Sequence, residues 1–297
     1  MNIMSIRTFA RDLFHRYVGR LDHQGKLGFL LFRSRIHQRS IEYMNEEESK
    51  RKQQENVGAL FAPFYEEHRA DFQKVRSLLA DDLSKETYDA ILQYRLDYDL
   101  SALKPYVVKP QYFVKDIVTS VENEIFLDGG AFIGDSSYDF IHYFNAAKHY
   151  KIYLWEPDPE NSKQIKRVLA GNHRYVILPY ALWDKRETLH FDSFGNGTSS
   201  VSKEGGISVQ GESIDHIHVG EKITFIKMDI EGAEIRALQG ASHLIQEQKP
   251  KLAICIYHQP SHLYEIPLMI KEMVPEYKLY IRHHALSESE TVLYAVT

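Results

Sequence analysis

From about residue 120 onward, short apolar runs alternate with stretches whose apolar residues recur at helical spacing. Ile125-Phe126-Leu127 precedes a glycine-containing turn, after which Tyr138, Ile141 and Phe144 fall on one helical face. Ile152-Tyr153-Leu154-Trp155 leads into a polar helix around 159–170, and Tyr175-Val176-Ile177-Leu178 follows. Ile223 to Met228 precedes a helix through Ile235, Leu238, Ala241 and Ile245. Leu252 to Tyr257 is apolar at every position, the pattern of a strand buried on both faces. Lys278–Arg282 and Thr291–Ala295 lie close enough in sequence to pair antiparallel. Strand and helix in alternation, closed by a hairpin, predict an α/β fold with an open, doubly wound, mostly parallel sheet.

The first third of the chain reads differently. Phe64, His68, Phe72, Val75, Leu78 and Leu79 make one helical stripe, and Tyr88, Ile91, Leu92, Arg95 and Leu96 make another, with Ser84 as the expected N-cap. Residues 45–56 contain no apolar position and read as a linker or a solvated helix end. Ile3, Ile6, Ala10, Leu13, Phe14, Tyr17 and Leu21 share a face flanked by arginines. Docking of that leader on its own protein is favoured over an interfacial membrane helix or an organelle-targeting peptide. The chain therefore divides into an N-terminal helical region, residues 1–115, and an α/β domain, residues 116–297.

Charge sharpens the view of the leader. Residues 1–40 carry eight Lys or Arg against two Asp, on a chain whose formal net charge is −5. A basic leader on an acidic body leaves a weak peripheral membrane contact through residues 1–40 as the alternative to docking. The acidic balance gives no hint of nucleic-acid binding. One cysteine excludes an internal disulfide framework and a zinc site of several thiolates. No apolar run approaches the ~20 residues of a membrane helix, and no secretory signal is visible, so a cytoplasmic location is expected.

An open α/β sheet binds ligands at the carboxyl ends of its strands. The first strand ends in Asp128-Gly129-Gly130-Ala131-Phe132-Ile133-Gly134, which lacks the Gly-x-Gly-x-x-Gly dinucleotide fingerprint but keeps Asp-x-Gly-x-x-x-Gly. The second ends at Glu156, where an acid accepts hydrogen bonds from a nucleoside's ribose hydroxyls. A later strand runs into Asp229-Ile230-Glu231-Gly232-Ala233-Glu234, and the two glutamates also suit the start of a helix. Tyr257-His258 follows the buried strand, making His258 a general-base candidate or a hydrogen-bonded structural histidine. His258-x-x-x-His262 has ligand-like spacing, but Pro260 and the missing Glu of His-Glu-x-x-His argue against zinc, and no metal is expected. Cys255 reads as an inert core thiol and His283-His284 as the cap of the sixth strand.

The stretches Leu127–Gly134, Trp155-Glu156-Pro157, Tyr180-Ala181-Leu182, Lys227–Glu234 and Leu238-Gln239-Gly240-Ala241 resemble the FkbM family of methyltransferases, over roughly residues 115–297. The resemblance implies the class I S-adenosylmethionine fold, a seven-stranded sheet with an antiparallel last strand. It implies S-adenosylmethionine as cofactor and methyl transfer to a hydroxyl of a sugar or sugar-like acceptor. By position, Asp128 and Gly130 would hold the amino-acid end of the cofactor, with Ala131 beside them. Gly134 would close the turn, Glu156 would hold the ribose, and Ala181 and Leu182 would line the adenine. Asp229, Glu231 and His258 would face the acceptor, and Phe194–Ser200 would form a lid. Phe132 stands where many members carry Asn. Two other readings remain open at this stage: a nicotinamide-dependent oxidoreductase on the same topology, and a non-catalytic binding scaffold. A metal-assisted variant would use Asp229, Glu231 and His258.

Overall fold

The structure, a computed structural model, describes residues 35–144, 149–191, 207–217 and 220–297. The leader face at 3–21 and the expected lid at 194–200 lie outside the described residues. The main sheet is built from β1 (Asn123–Gly129), β2 (His149–Trp155), β3 (Tyr175–Leu178), β7 (Phe225–Met228), β8 (Lys251–Cys255), β9 (Lys278–His283) and β10 (Thr291–Val296). Their order across the sheet is β3-β2-β1-β7-β8-β10-β9. β1, β2, β3, β7 and β8 run parallel, while β10 is antiparallel to both β8 and β9. The chain reverses direction across the sheet at β1, so the ends of β1, β2, β7 and β8 converge on one crevice.

A second sheet, not foreseen from the sequence, joins β4 (Ala181–Leu182), β5 (Glu187–Phe191) and β6 (Ile207–Glu212) in the order β4-β6-β5. Its strands are short, and β4 has only two residues, too few to show a period.

The N-terminal helices span Arg35–Gln54, Gly58–Glu67, Arg69–Leu78 and Asp82–Asp97. Residues 45–54 thus continue a helix rather than linking elements. An apolar count misses them because Asn45 and Ser49 are the buried positions, Ser49 donating to the carbonyl of Tyr98. The expected cap at Ser84 moves to Asp81, whose carboxylate accepts the Ser84 N–H at 2.7 Å. The Ser84 hydroxyl instead reaches the sheet, accepting from Ile281 N at 3.0 Å and Arg282 at 2.7 Å. The helical stripe through Phe64 and Phe72 is interrupted at His68, where one helix ends and the next begins.

Among the described residues the helical region has no separate core. One apolar cluster runs from Phe61, Phe72, Tyr88 and Leu103 to Leu127, Ile226, Leu252 and Leu293 on one face of the sheet. On the other face Phe113, Phe126, Phe140, Phe225 and Tyr294 pack together. The backbone also crosses the 115/116 boundary: Ala80 N donates to Leu279 O at 2.8 Å and Val108 N to His283 O at 2.9 Å. These bonds cover β9, the edge strand, which would otherwise present unpaired backbone. Among the described residues no helix is long and apolar enough to cross a membrane.

Candidate active site

The turn after β1 is fixed from three sides. Gly130 has φ +71, and a Cβ built there would stand 2.0 Å from the carbonyl oxygen of Asp229, so the turn lies directly against the end of β7. The N–H groups of Gly130 and Ala131 both donate to Trp155 O at 3.1 Å, tying the turn to the end of β2. Gly134, at φ +85, caps the short helix Asp135–Asp139. Phe132 also has a left-handed backbone, φ 48, a conformation that Asn tolerates better than a bulky residue.

Asp128 is fully buried, and its carboxylate is engaged inside the protein. Oδ2 accepts from the hydroxyls of Ser136 at 2.6 Å and Ser137 at 2.7 Å, and Oδ1 lies 3.0 Å from the ammonium of Lys227. Lys227 donates in addition to Gly129 O at 3.1 Å and Gly130 O at 2.9 Å. Burial opposes the charge of Lys227, but Asp128 and then Asp229 outweigh it and hold its pKa above the ordinary value. Within the chain this carboxylate braces the turn; the resemblance assigns it, in addition, to the cofactor's amino-acid end. Lys227, which the sequence reading passed over inside a strand, is the central cation of that brace.

Glu156 is buried at the end of β2. Its Oε2 accepts the Phe132 N–H at 2.8 Å, and its Oε1 accepts Asp158 N–H at 2.9 Å and Asn161 Nδ2 at 3.2 Å. Burial outweighs these bonds and pushes the carboxyl up to about 7. A carboxylate offers about four lone-pair sites, so Oε2 retains capacity for a hydroxyl donor. A buried acid at a strand end with acceptor capacity left on Oε2 is a fitting partner for a ribose diol. Ala181 and Leu182 lie on β4, with Leu182 buried and its Cδ1 2.5 Å from where a Cβ on Gly129 would sit.

The ends of β7 and β8 bring the three acceptor-facing candidates together. His258 Nε2 lies 3.5 Å from Asp229 Oδ1 and 3.6 Å from Glu231 Oε2. Its Nδ1 lies 2.9 Å from Glu234 Oε1, an acid whose place in the sequence suits the helix dipole equally well. Glu234 also accepts the Ile230 N–H at 2.9 Å, which explains its inward turn. Asp229 accepts from Tyr112 at 2.7 Å and from Tyr257 at 3.0 Å. No local signal marks Tyr112, which arrives from a loop outside the α/β alternation. Burial opposes the imidazolium of His258, but Glu234, then Asp229 and Glu231, outweigh this and push it up to about 9. In that state the ring carries both protons at neutral pH and is the cation of the acidic cluster. His262 starts the helix His262–Met273 and faces Glu234 at 3.4 Å. Cys255 is buried, with the Tyr112 hydroxyl at 3.8 Å.

Seven strands in this order, with a ligand crevice at the ends of β1 and β2, define a class I methyltransferase fold, whose methyl donor is S-adenosylmethionine. Residues 128–285, just over half of the chain, match the model of the methyltransferase FkbM domain, and the chain belongs to that family. The crystal structure of the methyltransferase FkbM from Methylobacillus flagellatus KT is similar to it with 28% identity and a TM-score of 0.68, over 79% of this chain and 60% of that one. The chain thus spans less than two thirds of that relative's length. The fibrillarin of Aeropyrum pernix, solved with natively bound S-adenosyl-L-methionine, shares 12% identity over 60% of this chain and 67% of that one, at a TM-score of 0.37, and adds nothing to the assignment. No curated protein matches the chain in sequence.

Proposed function

We propose that this protein transfers the methyl group of S-adenosylmethionine to a hydroxyl oxygen of a sugar, glycan or sugar-like acceptor. The observation that carries the reading is the pairing, along one sheet edge, of a buried carboxylate at Glu156 with the polar cluster of Asp229, Glu231 and His258. The first suits a ribose diol and the second suits an acceptor hydroxyl. When bound, S-adenosylmethionine supplies an electrophilic methyl on a sulfonium centre. The chain's part is to place an oxygen in line with that methyl and to receive the proton the oxygen sheds. Asp229 is held in place by Tyr112 and Tyr257, so its carboxylate presents a fixed edge to an acceptor. Glu231, on a left-handed backbone at φ 57 and with its side chain 29% exposed, stands at the solvent side of the cluster.

Transfer of label from methyl-tritiated S-adenosylmethionine to a panel of glycans and lipid-linked sugars tests the reading. Label should enter a base-stable ether on the sugar and should be lost with Glu156→Ala. Label that appears only in amine or carboxyl positions would replace the hydroxyl acceptor with another class.

A further inference from the structure

The link from β2 to the helix Pro159–Val168 is short and stiff. Pro157 and Pro159 each fix a φ angle within it. Asp158 between them is extended, at φ −78 and ψ 120, the conformation a following proline favours. Its carboxylate caps the helix by accepting the Glu160 N–H at 2.7 Å. This stiff link brings Asn161, in the first helical turn, back beside the end of β2, where it is buried at 8% exposure.

Burying an asparagine amide is costly unless it is hydrogen-bonded. Asn161 Nδ2 donates to Glu156 Oε1 at 3.2 Å. Oε1 also accepts the Asp158 N–H at 2.9 Å, so both of its lone pairs are engaged. Oε2 accepts the Phe132 N–H at 2.8 Å and keeps capacity for a further donor. The amide thus decides which oxygen of a flexible side chain is left for a ligand. After the Asp158 N–H, it is also the group that most favours the ionised carboxyl against burial. The surrounding charges do not take over that task. Asp158 pushes Glu156 up, Lys163 and Glu160 pair with each other at 2.5 Å, and Lys227 is matched by Asp128 at 3.0 Å.

We propose that Asn161 is a positioning residue for the cofactor, holding the Oε1 side of the Glu156 carboxylate so that Oε2 meets a ribose hydroxyl of S-adenosylmethionine; this rests on the reading of Glu156 as the ribose acid. A carboxylate ordered in advance spares binding the cost of fixing the side chain. The same amide ties affinity to protonation, because it stabilises the ionised form that a diol selects. Without it each oxygen keeps a single backbone N–H, from Asp158 and from Phe132. The carboxylate then loses its fixed choice of oxygen and part of the stabilisation of its charge.

The test is S-adenosylmethionine binding to the full chain, without acceptor, by calorimetry from pH 6 to pH 9. Wild type, Asn161→Leu, Asn161→Ala and Glu156→Ala are compared, and circular dichroism on heating reports whether each is folded. Leu keeps the volume of the side chain and removes the donor; Ala removes the donor and serves if Leu does not fold. Loss of a donor to a charged group should raise the midpoint of the affinity profile by about one pH unit. Asn161→Leu should then bind about fivefold more weakly than the wild type at pH 7, and within about twofold of it at pH 9. A loss of the same size at every pH is what a merely structural residue gives, and it overturns the proposal. So does wild-type affinity in a folded variant without the donor. Wild-type affinity in Glu156→Ala removes the ribose reading and Asn161 with it. A weakened Glu156→Ala beside an unshifted Asn161→Leu removes Asn161 alone.

Discussion

The backbone N–H of Phe132 donates to Glu156 Oε2 at 2.8 Å, so the turn after β1 is hydrogen-bonded to the acid that ends β2. The two sequence features that point to a nucleoside are thus physically one unit. The bond also sets a pH dependence. Burial pushes Glu156 up to about 7 despite its three donors. A ribose diol donates hydrogen bonds and selects the ionised form. Below about 7 the carboxyl must lose a proton before it can bind, at about 1.4 kcal/mol per pH unit. S-adenosylmethionine affinity should rise about fivefold from pH 6 to pH 7 and level off above pH 8. Glu156→Ala should bind at least tenfold more weakly at pH 8, from the loss of hydrogen bonds worth about 1.5–3 kcal/mol, with the slope between pH 6 and 7 gone. Calorimetry at four pH values decides; an unchanged slope in the variant removes Glu156 from the cofactor site.

The same pair shows what the sequence makes legible. Alternating apolar runs place β1, β2, β7 and β8, and the residues just beyond each strand are therefore known to share a sheet edge. That logic finds Glu156, Asp229, Glu231 and His258. It does not reach Tyr112, whose place beside Asp229 depends on a loop path with no period. Nor does it separate Asp128 from Glu156, two acids at strand ends with opposite fates. One meets a lysine two residues before Asp229 and two serines; the other meets only N–H donors. Strand register decides this, Asp128 pairing with Lys227 across β1 and β7, and register is not written in either strand alone. The three-stranded sheet leaves no such mark in the sequence, because two-residue β4 is too short to carry a pattern.

Lys227 and Asp128 should behave as a coupled pair. Lys227→Met leaves the Asp128 carboxylate buried without its cation, and removal of one partner from a buried ion pair costs about 3–5 kcal/mol. Asp128→Asn alone leaves Lys227 with its two carbonyl acceptors, Gly129 and Gly130, and should cost less. The double variant should recover part of the Lys227→Met loss, because Asn keeps partners in Ser136 and Ser137 without a charge. Urea denaturation of the four proteins measures the coupling; strict additivity would mean that the 3.0 Å contact contributes no interaction energy.

His283 and His284 should make the protein acid-sensitive. Both are buried, and desolvation lowers them to about 4 and about 3. His284 Nδ1 faces Val108 O at 2.8 Å and Nε2 faces the Tyr294 hydroxyl at 2.9 Å, a pattern that a neutral ring satisfies with its proton on Nδ1. Because the folded pKa lies below the unfolded value, near 6.5, the stabilisation is complete above pH 6.5. It is lost as pH falls from there towards 4, at up to about 1.4 kcal/mol per unit for each ring. His284→Asn should be less stable than the wild type at pH 7.5, since it loses the Tyr294 contact. Its stability should then fall less between pH 6.5 and pH 5. Parallel denaturation curves for both proteins across that range would show that His284 does not titrate with unfolding.

Two glycines in the β1 turn should differ sharply when a methyl is added. Both have left-handed backbones, which cost an L-residue about 1–2 kcal/mol. At Gly134 that is nearly the whole effect, because the nearest atom to a new Cβ is Ile165 Cγ1 at 3.4 Å, an ordinary contact. Gly134→Ala should therefore lower stability by about 1–2 kcal/mol and still fold. At Gly130 the new Cβ would stand 2.0 Å from Asp229 O and 3.0 Å from its carbonyl carbon, both backbone atoms of β7's end. Neither can turn aside as a side chain can, so Gly130→Ala must separate the β1 turn from Asp229 and break the approach that brings the two halves of the site together. Its loss should exceed that of Gly134→Ala by at least about 2 kcal/mol, the scale of an overpacked core position. S-adenosylmethionine binding should be lost with it. Equal denaturation midpoints for the two variants would mean that the close approach of Gly130 to Asp229 does not constrain the site.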